Sequence, residues 1–267
     1  LRYMREELFP PMVEALHKLG GIPIKPILAE SMQMGDENHT RQTACDYIYD
    51  RLMLPALFEL DRPKKEIMKT VRYIVDTPRF FHCYGQAAAR AALVAADGTE
   101  YSTMVTAVCG NGVEFGIKIA SLPGQWFTAP APMMKGRYTS SEFTEKDQLP
   151  WMGDSCVVEC YGMGGFAAAA SPIVCNLRGM TLKESIGQTK EMYRITMEKN
   201  YNFPIPNLDF DFLPVGIDIR KVLKEGVCPA IHGGMFNRVG GLIGAGMARV
   251  PMQCFEKALV AFGEKYL

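Results

Sequence analysis

An excess of charge of either sign is missing from this chain: 29 lysines and arginines balance 29 aspartates and glutamates, for a formal net charge of zero. No global basic field gathers nucleic acid or an anionic membrane surface, so neither is expected as a partner and any anion must be captured locally. Long apolar runs are missing too. The richest, Phe166 to Val174, falls well short of the roughly 20 residues that a membrane-spanning helix needs. Leu1 opens neither a signal peptide nor an initiator methionine, and the expectation is a cytoplasmic chain trimmed at its start. The eight cysteines include no CxxC pair and no Cys/His cluster at structural-zinc spacing, so neither a metal site nor a secreted disulfide framework is signalled. They read as reduced thiols, most of them buried as small hydrophobes.

Several motifs are absent as well. There is no GxxxxGK[ST] and no GxGxxG followed about 20 positions later by an acid, which removes support from Walker-type NTPase and dinucleotide readings. No GxSxG elbow, HExxH, EF-hand loop or kinase set occurs, which does the same for the common hydrolases, zincins and kinases. No cofactor is identified, and no repeat of fixed period emerges.

What is present describes a folded, loop-rich globular chain of 267 residues, 48% hydrophobic and 22% charged, with 25 glycines and 17 prolines, large enough for one big domain or two unequal ones. Helical periodicity covers residues 1–96, over Glu6–Leu19, Pro23–Met34, Arg41–Leu60, Pro63–Val75 and Phe80–Ala95. Beyond Asp97-Gly98 the period falls to two: Tyr101–Cys109 and Val113–Ala120 flank Gly110-Asn111-Gly112, a tight-hairpin signal. Trp126–Pro132 reads as extended, Lys135 to Pro150 as a polar loop, and Asp154–Tyr161 as a strand. A glycine turn, Gly162–Gly165, then leads into an apolar helix over Phe166–Leu177, and a second helix covers Leu182–Lys199. Extended segments at Phe203–Phe212 and Val227–Met235, a short helix at Ile217–Lys224, a glycine-rich run at 240–246 and a terminal helix at Pro251–Lys265 complete the chain. The expected fold is α+β: an orthogonal helical subdomain over 1–96 packed on a mixed α+β domain over 97–267 that carries the glycine-rich turn.

Several constellations offer chemistry, each with a plainer alternative. Gly164 and Gly165, between a strand and a helix, present backbone N–H groups to a phosphate or carboxylate, or else allow close helix packing. Asp36, Glu37, His39 and Arg41 lie within six residues: His39 offers a proton shuttle and Arg41 a bidentate anion clamp, while Asp36 or Thr40 serves equally as a helix N-cap. Asn111 belongs to the turn or to a ligand. Glu114 sits in an otherwise apolar strand, where a carboxylate must find a partner or shift its pKa. Asp154 and Glu159 bracket the segment before the glycine turn, Asp218 and Arg220 begin a helix, and His232 lies among glycines; taken singly, each also fits a cap, an ion pair or a satisfied polar group. His17 and His82, on helices, read as structural.

The segments Met34–His39, Asn111–Ile117, Trp126–Pro132, Gly153–Ser155 with Gly164–Ala167, Gly216–Val222 and Pro251–Leu259, in that order, closely resemble the YlbE/YahG-like family over essentially the whole chain. Members are typically longer, and this chain resembles their C-terminal portion. The resemblance implies an AllG-type subunit of oxamate carbamoyltransferase in allantoin and purine degradation, converting oxalurate and phosphate to oxamate and carbamoyl phosphate. It also implies an oligomer whose partners are FdrA-like and other carbamoyltransferase subunits and the missing N-terminal region, with a small anionic substrate and phosphate as ligands. Carbamoyl transfer passes through an anionic tetrahedral centre, which calls for an anion clamp and an acid/base pair. The residues assigned to it are His39, Glu114 and Asp154 as catalytic groups, and Arg41, Asn111, Gly164, Gly165 and Arg220 as anion-binding groups. Two other functions stay open: a non-catalytic assembly or ligand-binding module of a ureide-degrading complex, and a ureide or amide hydrolase.

Overall fold

The computed structural model describes residues 1–38, 42–77 and 80–267. Prolines set where several helices begin. α1 (Phe9–Leu19) carries Pro10 and Pro11 in its first turn, where a missing N–H costs nothing, and ends at Gly20 with φ 69°. α2 (Ile24–Gln33) and α5 (Lys64–Val75) each follow a proline. Between them α3 (Gln42–Tyr47), a π-helical stretch (Ile48–Met53) and α4 (Leu54–Phe58) run end to end, giving one helical path where a single long helix was expected. α6 (His82–Val94) completes the helical portion.

β1 (Val105–Asn111) and β2 (Glu114–Ile119) form the expected antiparallel hairpin, with Gly112 at φ 86° in its turn. β3 (Phe127–Pro130) pairs with β2, and β5 (Met152–Gly153) with β1, giving a four-stranded sheet in the order β3-β2-β1-β5. A three-stranded sheet runs β4 (Lys135–Tyr138), β9 (Leu242–Arg249), β8 (Ala230–Phe236), and β6 (Thr196–Ile205) with β7 (Asp211–Ile217) forms a two-stranded ribbon. Every strand pair is antiparallel, so the fold is α+β, with helices leading and no alternating doubly wound sheet.

Several local expectations change, among them the polar loop expected over 135–150, whose first four residues form β4. The strand expected over 154–161 is instead a short helix, α7 (Val157–Cys160), all four residues of which are buried; without alternation, an apolar run does not distinguish a buried strand from a helical turn. The helix expected over 166–177 is a 3-10 segment (Gly164–Ala170), then α8 (Pro172–Leu177), because Pro172 lacks an N–H and restricts Ser171. α9 (Leu182–Met192), started by a Thr181/Glu184 capping box, stops short of β6 rather than reaching Lys199. The glycine-rich run 240–246 leads into β9, whose glycines let β4 approach: a Cβ on Gly246 would stand 2.6 Å from the Lys135 carbonyl.

Buried apolar residues form one cluster from Leu8 to Ala258, and a subdomain limit near residue 96 is retained as a proposal. Five of the eight cysteines are buried. No helix among the described residues is long and apolar enough to cross a membrane. α11 (Met252–Tyr266) lies on β2 and β3, where Lys257 donates to the Thr128 carbonyl at 2.6 Å.

Trp151, 2% exposed, keys the two larger sheets together. A Cβ on Gly110 of β1 would lie 2.6 Å from one edge of its indole, and a Cβ on Gly233 of β8 would lie 2.7 Å from the other. Phe115 meets it edge to face at 6.1 Å, and its Nε1–H donates to the Gly153 carbonyl at 3.2 Å. Trp151→Ala should therefore cost about 3–5 kcal/mol, the usual range for emptying a large core site, and Gly233→Ala about 1–3 kcal/mol through overpacking. Denaturant unfolding of both variants and their double mutant checks this, because the Gly233→Ala penalty should largely vanish once the indole is gone.

Candidate functional site

The outer face of β2 displays Glu114, Gly116 and Lys118 at strand spacing. Trp126, just before β3, seats its indole over the gap in the middle: a Cβ on Gly116 would lie 3.1 Å from Trp126 Cε3. Two adjoining cavities of about 430 and 200 Å3 share Trp126 and Cys109 in their walls. The larger also takes in Asp154, Lys118, Arg90 and Gln86, and the smaller Asn111, Glu114 and Thr128. Three residues singled out at separate points of the sequence thus meet on one groove.

Their states differ. Asn111 spends its side-chain carbonyl on the turn, accepting from the N–H groups of Val113 (2.9 Å) and Glu114 (2.8 Å), which leaves its NH2 for a ligand. Glu114 accepts from Thr128 Oγ1 at 3.1 Å. It is exposed at the first position of β2, so the expected burial of this carboxylate does not occur. Arg90 is held by the Thr106 carbonyl (2.9 Å) and Asp97 (3.1 Å). Lys118 rests 5.9 Å from the Trp126 ring centroid and makes no ion pair among the described residues, and Asp154 makes none either. Burial, with the Asp154 charge second, pushes the Cys109 thiol up, so it stays protonated and is a poor nucleophile.

A second polar assembly lies inside the protein. Glu37 and Arg178 form a buried ion pair at 3.3 Å, with side chains 0% and 3% exposed. Asp36 accepts from the N–H groups of Asn38 (2.9 Å) and Thr43 (3.1 Å), fulfilling the capping alternative for this loop. The glycine turn is engaged on both sides. Gly164 N–H donates to the Glu37 carbonyl at 2.9 Å and Gly165 N–H to Glu159 Oε1 at 3.0 Å. An added Cβ would collide with the Glu159 carboxylate at Gly164 and with the Ala230 carbonyl at Gly165. The anion at this cradle is therefore the protein's own Glu159, and the turn serves packing, which corrects the expected phosphate cradle. Glu159 Oε1 also accepts from the His232 N–H at 2.8 Å. Gln188 donates to the Gly165 carbonyl (2.7 Å) and to His232 Nε2 (3.0 Å), which puts the neutral imidazole's proton on Nδ1.

Arg220 is likewise committed. It grips Asp218 through Nε (3.3 Å) and Nη2 (3.1 Å), and Asp218 in turn accepts from Thr103 Oγ1 at 2.8 Å and caps α10 (Ile219–Glu225), while the Arg220 side chain stays 62% exposed. His39 and Arg41 lie outside the described residues. Sequence reasoning passed over Lys118, Arg178 and Gln188. Lys118 was detectable as the charge two steps from Gly116 on the strand face that carries Glu114.

The model of the family described as oxamate carbamoyltransferase subunit AllG matches residues 1–155. Two relatives from Escherichia coli (strain K12) are each 35% identical: uncharacterized protein YahG, over 100% of this chain and 57% of its own length, and oxamate carbamoyltransferase subunit AllG, over 98% and 64%. The crystal structure of a conserved protein of unknown function from Enterococcus faecalis V583 is similar with a TM-score of 0.94 at 36% identity, over 98% of this chain and 64% of that one. The chain spans 57% to 64% of the length of the relatives it matches.

The interior assembly makes stability depend on pH. His232 is fully buried, and burial first, then Arg178 and Arg249, holds its imidazole well below the ordinary value. Unfolded, the ring protonates near 6.5. Above that pH both states are neutral; below it the unfolded chain takes up a proton that the folded chain refuses, so stability falls by up to about 1.4 kcal/mol per pH unit from this residue. His232→Gln should remove that increment, and urea unfolding of both proteins between about pH 5 and 8 measures the difference in slope.

Proposed function

We propose a function from one premise: this chain belongs to the family of oxamate carbamoyltransferase subunit AllG and YahG. In this reading it is a subunit of a cytoplasmic, oligomeric carbamoyltransferase of allantoin and purine degradation, working with the rest of the family polypeptide and with FdrA-like and other subunits. The reaction is oxalurate plus phosphate giving oxamate and carbamoyl phosphate. A phosphate oxygen attacks the carbamoyl carbon, the C–N bond breaks with its electron pair passing to nitrogen, and one proton moves from the attacking phosphate to the departing amide. That transfer needs a base on one side and an acid on the other.

The observation that carries the reading is the convergence of Asn111, Glu114 and Asp154 on adjoining cavities of a chain in this family. Asp154 and Glu114 are exposed carboxylates on one groove, suited to exchanging a proton with a small ligand. Asn111 offers an NH2 donor for the developing oxyanion. His39 and Arg41 keep their proposed roles as proton carrier and anion clamp. Gly164, Gly165 and Arg220, committed within the fold, take no part.

In a complex reconstituted from full-length subunits, Asp154→Asn and Glu114→Gln should each lower the turnover of oxalurate phosphorolysis by about 10²-fold or more, with the variants folded and assembled. Wild-type turnover in both would make the chain a non-catalytic assembly module instead.

A further inference from the structure

Of the cations around the groove, Arg90 is paired with Asp97 and donates to the Thr106 carbonyl, whereas Lys118 has no anionic partner among the described residues. Its ammonium stands 5.9 Å from the centroid of the Trp126 ring; Trp126 is 48% exposed, and the Cε3 edge of its indole lies against Gly116. The walls nearby are the apolar Ala107, Val108 and Val157, with Asp154 as the free carboxylate. A cation beside a half-exposed aromatic ring, with an acceptor across a mostly apolar cavity, matches a small, flat molecule that has an anionic end and an N–H end.

We propose that Lys118 binds the carboxylate, and Trp126 stacks on the conjugated plane, of an α-oxo amide acid of the oxamate or oxalurate type; the choice of ligand rests on the carbamoyltransferase reading. Glu114 and Lys118 are four residues apart on one strand, about 13 Å along the backbone. The adjoining cavities run between these positions along Trp126 and Cys109, and the proposed ligand lies there with its carboxylate at Lys118 and its reacting end near the carboxylates. Neither Lys118 nor Trp126 needs to move a proton. Both are positioning residues, and they act on affinity.

The chain contains two tryptophans, one buried at the sheet junction and one on this groove. Titration with oxamate should quench the fluorescence that Trp126→Phe removes, and calorimetry gives the affinity of each variant. Oxamide has the same plane and no carboxylate, which isolates the Lys118 contact. Lys118→Met should weaken oxamate about 10- to 100-fold, the range for a charge-assisted bond, and leave oxamide within about twofold, while Lys118→Arg restores most of the loss. Trp126→Ala should weaken both compounds by up to about tenfold. Equal oxamate affinity in wild type and Lys118→Met overturns the proposal, as does tighter binding of alanine, which offers both charges but no conjugated plane. The two readings fail separately. Oxamate binding that depends on Lys118 in a complex without phosphorolysis leaves this site standing and removes the reaction; phosphorolysis with an unchanged KM in Lys118→Met removes the site and leaves the reaction.

Discussion

A carboxylate taken wholly out of water has to be met by hydrogen bonds or it will not stay ionised, and Glu159 is 0% exposed. Its Oε1 accepts from Gly165 N–H and His232 N–H, so one oxygen ties the 3-10 segment after the glycine turn to β8. Gly164 passes the tie on to the Glu37 carbonyl, and Glu37 to Arg178. Through this chain of contacts the loop that follows α2 is fastened to the sheet portion. The glycines are required because a Cβ at either place would occupy the carboxylate's or the Ala230 carbonyl's position. Removing a single member leaves a buried charge without its partner, which is the costly outcome.

The two tryptophans use glycine in the same way for opposite ends. Trp151 lies between Gly110 and Gly233 and is sealed, so its large apolar area joins two sheets. Trp126 lies against Gly116 and is 48% exposed, and it borders both groove cavities. Missing Cβ atoms on adjacent strands therefore decide both where the sheets meet and where a flat ligand has a surface to lie on. Glu114 and Lys118 flank the same glycine on the same strand face, so β2 positions charge at both ends of the aromatic platform.

Periodicity made the helical portion and the hairpin readable, because Asn111-Gly112 demands its turn whatever the rest of the chain does. The segment 154–161 was not readable: Val157, Val158 and Cys160 are buried all round, and burial on every side erases the difference between periods of two and 3.6. The glycine turn was located correctly and its partners were not, since nothing local says that Gly165 N–H meets a carboxylate six residues upstream and Gly164 N–H the distant Glu37 carbonyl. Arg178 carried no signal at all; its partner Glu37 is 141 positions away. The groove residues Asn111, Glu114 and Asp154 were legible as chemistry-bearing side chains, but the strand pairing that brings them together is a tertiary fact.

Sorting the polar groups by how far their bonding capacity is used separates architecture from chemistry. Arg178, Gln188, His232 and Arg220 make specific bonds to groups of this chain, and three of the four are buried. Each of the three buried side chains can bind a substrate only by first giving up an interior contact, which costs about 1–3 kcal/mol for each bond left unmade. Lys118 and Asp154 face a cavity and make no ion pair among the described residues, so a ligand there competes with water and with the loose Lys118–Trp126 contact. Binding energy at the groove is thus available to hold and orient a substrate, and the interior charges keep the walls of that groove where they are.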